Sequence, residues 1–423
     1  MAKTYDTYKD SGSVWVGDIP SEWNIGNFRY FGEFTKGKVP STTTTDGKGL
    51  PILGASEMLG KDCRTFSEDA NVPQCSNDDI LILWDGANAG IISSHHKGIV
   101  SSTAVKYHCS NSDVNKNFLY YFLKSVEPNF KEKVNGTTIP HMNMKYINEI
   151  PLLMPPLSVQ QSISSFLDTK CGEIDSLISI QEEMISELLA YKQSVITEAV
   201  TKGLDKKAKM KNSGVEWIGD IPEEWEVIKI QYLNQGLTDG THGTYNRVDK
   251  GRLLLSSKNV REKDLLITDS ESQISEEDYQ SIISNGFPKK GDLLMCCIGA
   301  SIGRCIIYKY DETYAFQRSV IFIRCNKLIK PELLRYNLLS NNSLLQELFL
   351  INQSAQAGLY QGQVKEIKVI VPPISKQKQI IDYLDEKTSQ IDSLIALKQS
   401  KIESLKEYKK SIIYEYVTGK KRV

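Results

Sequence analysis

Ile174-Asp175-Ser176-Leu177-Ile178 is written again as Ile391-Asp392-Ser393-Leu394-Ile395, 217 positions later. The same offset aligns Pro155-Pro156 with Pro372-Pro373, Leu167-Asp168 with Leu384-Asp385, Tyr191-Lys192 with Tyr408-Lys409 and Val200-Thr201 with Val417-Thr418. Matches held over about forty residues without a gap mark an internal duplication.

Each copy reads as one long amphipathic helix. Ile163, Phe166, Leu167, Ile174, Leu177, Ile178, Met184, Ile185, Leu188, Val195 and Ile196 keep three-and-four spacing, as do Ile380, Tyr383, Leu384, Ile391, Leu394, Ile395, Ile402, Leu405, Ile412, Ile413 and Tyr416. Pro156 and Pro373 sit just before the two starts, and Ser158 and Ser375 are the expected N-caps. At about 1.5 Å per residue, roughly 44 residues would span roughly 66 Å, and so long a stripe needs a partner. The expected partner is the other copy. Residues 158–204 hold three lysines against seven acids, a net of −4; residues 374–423 hold eleven basic residues against seven acids, a net of +4. Opposite charge favours pairing mainly by choosing the partner. The residues expected at the pairing or at partner docking are Ile174, Leu177, Ile178 and Leu188 with Ile391, Leu394, Ile395 and Leu405.

The chain has 423 residues, 40% apolar and 24% charged, which describes an ordinary soluble protein of two to four domains. The amino terminus shows no apolar signal region and no run approaches a membrane span, so no membrane partner and a cytoplasmic location are expected. Eight cysteines lack paired metal spacing and read as reduced thiols. A net charge of −1 argues against an indiscriminate binder of nucleic acid and leaves local patches open.

A second repeat opens each half. Ser11-Gly12 to Trp15, Gly17-Asp18-Ile19-Pro20 and Trp23 return as Ser213-Gly214 to Trp217, Gly219-Asp220-Ile221-Pro222 and Trp225. The two tryptophans bracket a turn and are expected to bury their indoles as a clasp. Between opener and helix the halves have diverged to a skeleton. Asp78–Leu83 and Gly291–Cys296 read as buried strands, and Ser102–Tyr107 and Arg318–Ile323 as later ones. Phe118–Leu123 and Leu333–Leu339 read as helices. The expected class is α+β, in four segments: globular domain 1–157, helix 158–204, globular domain 205–373 and helix 374–423, with Lys206–Asn212 as an exposed linker.

Catalytic motifs fail one by one. Gly32-Glu33-Phe34-Thr35-Lys36-Gly37-Lys38 has P-loop spacing up to its lysine, but Val39 has no hydroxyl for magnesium and Pro40 sits where a helix should run. The paired prolines lack the flanking residues of an adenine methyltransferase, and no glycine-rich cofactor loop joins a strand to a helix. His95, His96, His108 and Cys109 lack zinc spacing, so no metal is expected. What the divergent loops carry suits nucleic acid. The candidates are Lys36, Lys38, Thr42 and Thr43 in the first half. In the second they are Thr241, His242, Tyr245, Arg247, Lys258, Asn259, Gln317 and Arg318. Lys and Thr suit phosphates, and Arg, Asn and Gln can make bidentate contacts to base edges. Similar scaffolds with different loops are how two targets would be read.

Here the sequence resembles the specificity subunit of type I restriction–modification systems. The resemblance rests on Gly214–Pro222 with Trp225, on the starts Pro155–Gln160 and Pro372–Gln377, and on Leu167-Asp168 with Ile174–Ile178 and its second copy. The loop Thr238–Tyr245 is also similar to family loops. The family often has Glu before the glutamine of each start, where this chain has Val159 and Lys376. The resemblance implies two target-recognition domains, each reading half of a bipartite asymmetric site on double-stranded DNA. It implies antiparallel helices that fix the half-site spacing with pseudo-twofold symmetry. It also implies a non-catalytic chain without cofactor, assembling with two modification subunits and, in the full complex, two restriction subunits. S-adenosylmethionine, ATP and magnesium would lie on those partners. Two rival readings are a coiled-coil scaffold without sequence-specific DNA binding and part of a single-chain methyltransferase, which would need a fused cofactor domain.

Overall fold

In the computed structural model, residues 4–132, 141–142, 147, 150–351 and 358–423 are described. The chain divides into two compact units: Met1–Glu182 with Ser400–Val423, and Glu183–Gln399. Both long helices are shared between them. The first runs Leu157–Lys202, 46 residues, and the second Ile374–Val417, 44 residues. Each begins right after a proline pair, which cannot continue a helix backwards. Each ends near a glycine in the left-handed region, Gly203 at φ +73° and Gly419 at φ +71°. A Cβ on Gly203 would come within 2.9 Å of the Trp225 ring, and one on Gly419 within 2.3 Å of Pro20 and 3.1 Å of Trp23. The end of each helix is therefore shaped to the tryptophan of an opener.

Each globular part is built on one plan around two small sheets, with a two-stranded one, Asn24–Asn27 with Pro151–Met154 or Glu226–Lys229 with Lys368–Val371, beside them. In the first unit an antiparallel sheet runs in the order Gly32–Lys36, Ala104–Cys109, Ile80–Leu83, Ile92–Ser94. In the second it runs Asn234–Asp239, Val320–Cys325, Leu293–Cys296, Cys305–Ile307. Beside each sits a sheet with one parallel pairing, Leu50–Leu53 with Gly98–Val100 and Arg252–Leu255 with Ala315–Phe316. Ile80–Leu83 and Leu293–Cys296 are buried at every position, the pattern of the uninterrupted apolar runs expected there. The expected helices lie within Lys116–Glu132 and Pro331–Leu338.

The openers are hairpins. Tyr8–Asp10 pairs with Asp18–Pro20, and Met210–Asn212 pairs with Asp220–Pro222. The stretch expected as an exposed linker thus ends in a strand, because the turn that follows it supplies a hydrogen-bonding edge. Trp23 and Trp225 are buried, as a clasp requires. Trp217 is 41% exposed, contrary to expectation: the ring it meets, Phe349 at 6.5 Å, is itself 82% exposed, so no interior forms there.

Within each unit the two long helices meet antiparallel. In the first unit Phe166 lies against Tyr416 and Asp175 against Lys409, so contacts climb one helix as they descend the other. Ile163, Leu167, Cys171 and Ile174 share a core with Leu405, Ile412, Ile413 and Val417. In the second unit Val195, Ile196, Ala199 and Val200 share one with Ile380, Ile381 and Leu384. The repeated motifs interlock: Lys409 Nζ stands 2.7 Å from Asp175, and Lys192 Nζ 2.6 Å from Asp392. The aspartate of one copy thus takes the lysine of the other copy's Tyr-Lys motif.

A second repeated fastening joins helix to globular part. Gln160 Oε1 accepts the Asn115 backbone N–H at 2.8 Å, and its amide donates to the Asp113 and Pro155 carbonyls. Gln377 does the same with the Lys330 N–H and the Leu328 and Pro372 carbonyls. Tyr121 donates to Asp168 at 2.8 Å and Tyr336 to Asp385 at 2.6 Å. Gln160 and Gln377 are buried, so truncation would strand one N–H and two carbonyls each. Gln160→Ala is expected to cost roughly 2–3 kcal/mol, and Gln377→Ala a similar amount, in the denaturant midpoint of the affected unit.

Glu347 stands apart. It is buried, and among the described residues its Oε1 has no hydrogen-bond partner. Burial pushes its carboxyl up to about 7 from an ordinary 4.5. The fold therefore holds the protonated acid more tightly than the unfolded chain does. That contribution is whole below about 4.5 and is lost as pH rises to about 7. Glu347→Gln should raise the melting temperature at pH 8, by up to roughly 3 kcal/mol of stability, with the difference closing near pH 4. Thermal melts across that range check it.

Candidate nucleic-acid interface

The candidate loops begin where the first strand of each sheet runs out. Lys36 pairs across the ladder with Val105, and Asp239 with Ile321, so the two residues hold equivalent places. Each is followed by a glycine pressed onto a neighbouring backbone. A Cβ on Gly37 would lie 2.0 Å from the Ser101 carbonyl oxygen, and one on Gly240 2.3 Å from that of Gln317. No larger residue fits, so both loops leave the sheet from the same tight point. The P-loop spacing dismissed on Val39 and Pro40 falls here, where Gly32–Lys36 is strand.

In the first unit Lys36 Nζ lies 2.6 Å from Asp85 Oδ2, and 5.7 Å from the centre of the Trp84 ring. His141 Nδ1 lies 2.7 Å from the other oxygen, Oδ1. Burial raises the Asp85 carboxyl, but the hydrogen bonds from Lys36 and His141 outweigh it and hold the group below its ordinary range. Lys38, Thr42 and Thr43 are exposed. Their loop is anchored by Ser41, whose N–H and hydroxyl both donate to Asp69 Oδ2 at 2.8 and 2.7 Å.

The second unit brings Thr241, His242, Tyr245, Gln317 and Arg318 together. Thr241 N–H donates to the Phe316 carbonyl and Arg318 N–H to that of Thr241. The Thr241 and Tyr245 hydroxyls meet at 2.6 Å. His242 Nε2 lies 2.8 Å from Asp239 Oδ2, and Gln361 Nε2 donates to Asp239 Oδ1 at 2.6 Å. Arg247 and Arg318 are exposed. Lys258 is tied to buried Glu271 at 2.8 Å, and that contact holds the glutamate below its ordinary range. Asn259 is not a surface group. It is 1% exposed, accepts the Ser256 N–H and donates to the Leu266 carbonyl, so it shapes its loop and cannot reach a base.

Asp85, His141 and Gln361 were outside the candidates, and Asp239 was quoted only as part of its loop. Three of these lie far in sequence from the lysine or histidine they complete, and no periodicity or motif joins them. Among the helix candidates Ile174, Ile391, Ile395 and Leu405 are buried, and Ile178 and Leu188 half-buried. Leu177 and Leu394 turn away from the pairing seam, 46 and 47% exposed, because each falls beside the stripe rather than on it. Their exposure is duplicated by Ile180 with Leu397 and by Tyr191 with Tyr408.

Of the histidines weighed for zinc, His108 lies 2.6 Å from Asp79, His96 is paired with Ser93 and His95 with Ser94. Among the described residues no three His, Cys, Asp or Glu side chains gather as metal ligands, and no helix is long and apolar enough to cross a membrane.

Residues 20–189 and 219–407 each match the model of the type I restriction modification DNA specificity domain. The chain is 29% identical over 414 residues to the type I restriction enzyme MjaVIII specificity subunit of Methanocaldococcus jannaschii, spanning 96% of this chain and 94% of that one. It is 23% identical over 364 residues to the EcoBI specificity subunit of Escherichia coli, spanning 82% and 74%. A solved chain from work on complex assembly and conformational transition of the type I R-M system shares the fold. Its TM-score is 0.68 at 14% identity, over 94% of this chain and 98% of that one.

Proposed function

We propose, on the premise that this chain belongs to the type I restriction modification DNA specificity family, that each of its two recognition domains reads one half of a bipartite, asymmetric site on double-stranded DNA. The domains are taken as 1–157 and 205–373, with 158–204 and 374–423 as the paired helices that set half-site spacing and seat two adenine-methyltransferase subunits. S-adenosylmethionine belongs to those partners, and ATP and magnesium to two restriction subunits in a full complex. The chain itself does no chemistry in this reading; it supplies hydrogen-bonding and charged groups at its loop ends.

One observation carries the reading: the same strand order in the antiparallel sheet, the same place for its strand end and the same fastenings occur twice, while the side chains at the loop ends differ. A scaffold would have no use for a conserved frame bearing two unlike sets of polar loop residues. Sequence-specific reading of two unlike half-sites needs just that. Sequencing for N6-methyladenine after co-expression with the methyltransferase subunit tests it. The expected result is one motif with two unlike half-sites methylated on opposite strands. A soluble complex that yields no motif overturns it in favour of the scaffold. Arg247→Ala should then relax the motif at one half-site only, whereas a uniform loss of methylation would make Arg247 a phosphate contact.

The helix surface supports two equal seats. Leu177 with Ile180 in the first unit and Leu394 with Leu397 in the second are equivalent in the repeat, apolar and half-exposed. Surface apolar groups repeated in kind suit two copies of one partner. Leu177→Glu or Leu394→Glu should leave the melting temperature of the chain within about 1–2 °C, since neither group is in a core. Each should reduce the methyltransferase copies retained per chain from two to one, read by native mass spectrometry.

A further inference from the structure

Resting on that reading, we infer that two equivalent carboxylate-centred corners, Lys36–Asp85–His141 and Gln361–Asp239–His242, are the base-reading centres of the two domains.

The corners share a place. Lys36 and Asp239 occupy the same ladder position, each one residue before the glycine pinned to the neighbouring backbone. The returning segment is also matched: Met142 N–H donates to the Trp84 carbonyl at 2.9 Å and Leu359 N–H to the Cys297 carbonyl at 2.8 Å. Directly beside these, Asp85 bridges to His141 and Ile298 to Gly358. So strand end, crossing strand and returning segment converge alike in both units.

They also share a design carried by different residues. In each, one carboxylate takes an imidazole N–H on one oxygen and a second donor on the other. The second donor is an ammonium in the first unit and an amide in the second. The carboxylate has changed elements, from the second residue after the strand Ile80–Leu83, Asp85, to the end of the first strand, Asp239. The imidazole has changed as well. Asp85 holds His141 by Nδ1 and leaves Nε2 uncommitted to it, whereas Asp239 holds His242 by Nε2 and leaves Nδ1.

A frame kept this closely would keep its corner too if the corner served folding alone. Instead the chemistry is rebuilt, and the outer groups face water: His141 is 57% and His242 61% exposed at the side chain, over carboxylates at 23 and 17%. Half-buried acids orienting exposed rings give preorganised hydrogen-bonding groups at the start of a variable loop. The chemistry separates the targets. Lys36, which gives only one of its N–H groups to Asp85, is a donor and suits guanine, whose groove edge offers two acceptors, whereas His141, with Nδ1–H given to Asp85, presents Nε2 as an acceptor for a neighbouring amino group. Gln361 and His242, each giving an N–H to Asp239, are left with Oε1 and Nδ1 as acceptors and suit a base bearing an exocyclic amino group, adenine or cytosine. His141, Lys36, His242 and Gln361 are the contacting groups; Asp85 and Asp239 are positioning residues.

The test is methylome sequencing of the co-expressed complex carrying His141→Ala, Lys36→Met, His242→Ala, Asp85→Asn or Asp239→Asn. Melting temperature and complex yield are measured alongside. Lys36→Met should relax discrimination roughly ten-fold or more at a guanine, and His141→Ala at a base bearing an amino group, in one half-site, leaving the other half-site intact. His242→Ala should do so at an adenine or cytosine of the other. Asp85→Asn and Asp239→Asn should reproduce the loss of their own corner's discrimination, which a purely structural role would replace with lower yield and an unchanged motif. Should an Asp variant fail to fold, the exposed His and Lys variants carry the test. A wild-type motif left unchanged by all the soluble variants, or methylation lowered equally at every sequence, overturns this inference and leaves the specificity-subunit reading standing. A wild type without any motif overturns both.

Discussion

The structure depends on an exchange between the two copies of the repeat. A helix of some forty residues cannot bury its whole stripe on the domain that precedes it, so each compact unit is completed by a helix segment of the other copy. Val417 and Ile412 belong to the core of the first unit, Val195 and Val200 to that of the second. The Asp–Lys contacts make the exchange specific, since the aspartate of either motif finds the lysine of the opposite one. Lys192 and Asp392 are largely buried, at 21 and 18% exposure. Pairs in such places contribute little net stability but penalise strongly any register that leaves one of them alone. The seam is therefore driven by apolar area, and its register is held by charge.

The net charges of the helices are a poorer guide than they look. Asp175–Lys409 joins acidic first helix to basic second, as the counts suggest, but Lys192–Asp392 runs the other way. Duplication explains it: a motif pair that exchanges reciprocally must place its lysine on each helix once. Net charge bears on encounter and on solubility, whereas the register follows from which residues stand at matched heights.

Much of this was legible in the sequence because a repeat multiplies weak signals. The openers, the buried strands and the long helices each occur twice, and either copy alone would read as an ordinary amphipathic or apolar run. Gln160 and Gln377 stood in the quoted starts without a role, since a helix-start glutamine can as well face water; only the folded loop at Asp113 or Leu328 shows what it holds. Leu177 and Leu394 were read as pairing or partner-docking residues without a choice between the two, because three-and-four spacing defines a stripe about a third of the helix wide and cannot fix its edge. Trp217 misled for a similar reason: a tryptophan is apolar enough to be buried, but burial also needs neighbours that are themselves inside. Asn259 shows the reverse, a polar loop residue withdrawn into its own turn. The corner residues were hidden more deeply, because His141 and Asp85, or Gln361 and Asp239, meet only through the sheet.

Near-neutral recognition domains have a physical consequence for how DNA would be held. The first domain nets −2 and the second +1, and several of their cations are already committed: Lys36 to Asp85, Lys258 to Glu271, Lys309 to Asp264. A phosphate approaching such a lysine must compete with a carboxylate in place, so the usual gain from releasing counterions is reduced at each contact. Affinity would then come mostly from the assembled complex, and the domains would contribute discrimination. Discrimination gains from the same arrangement. A lysine or histidine held by a carboxylate is already oriented, and a base that fails to complete its hydrogen bonds leaves polar groups unpaired in a site that has shed water. Internally neutralised loop ends would thus make sequence matter more than charge.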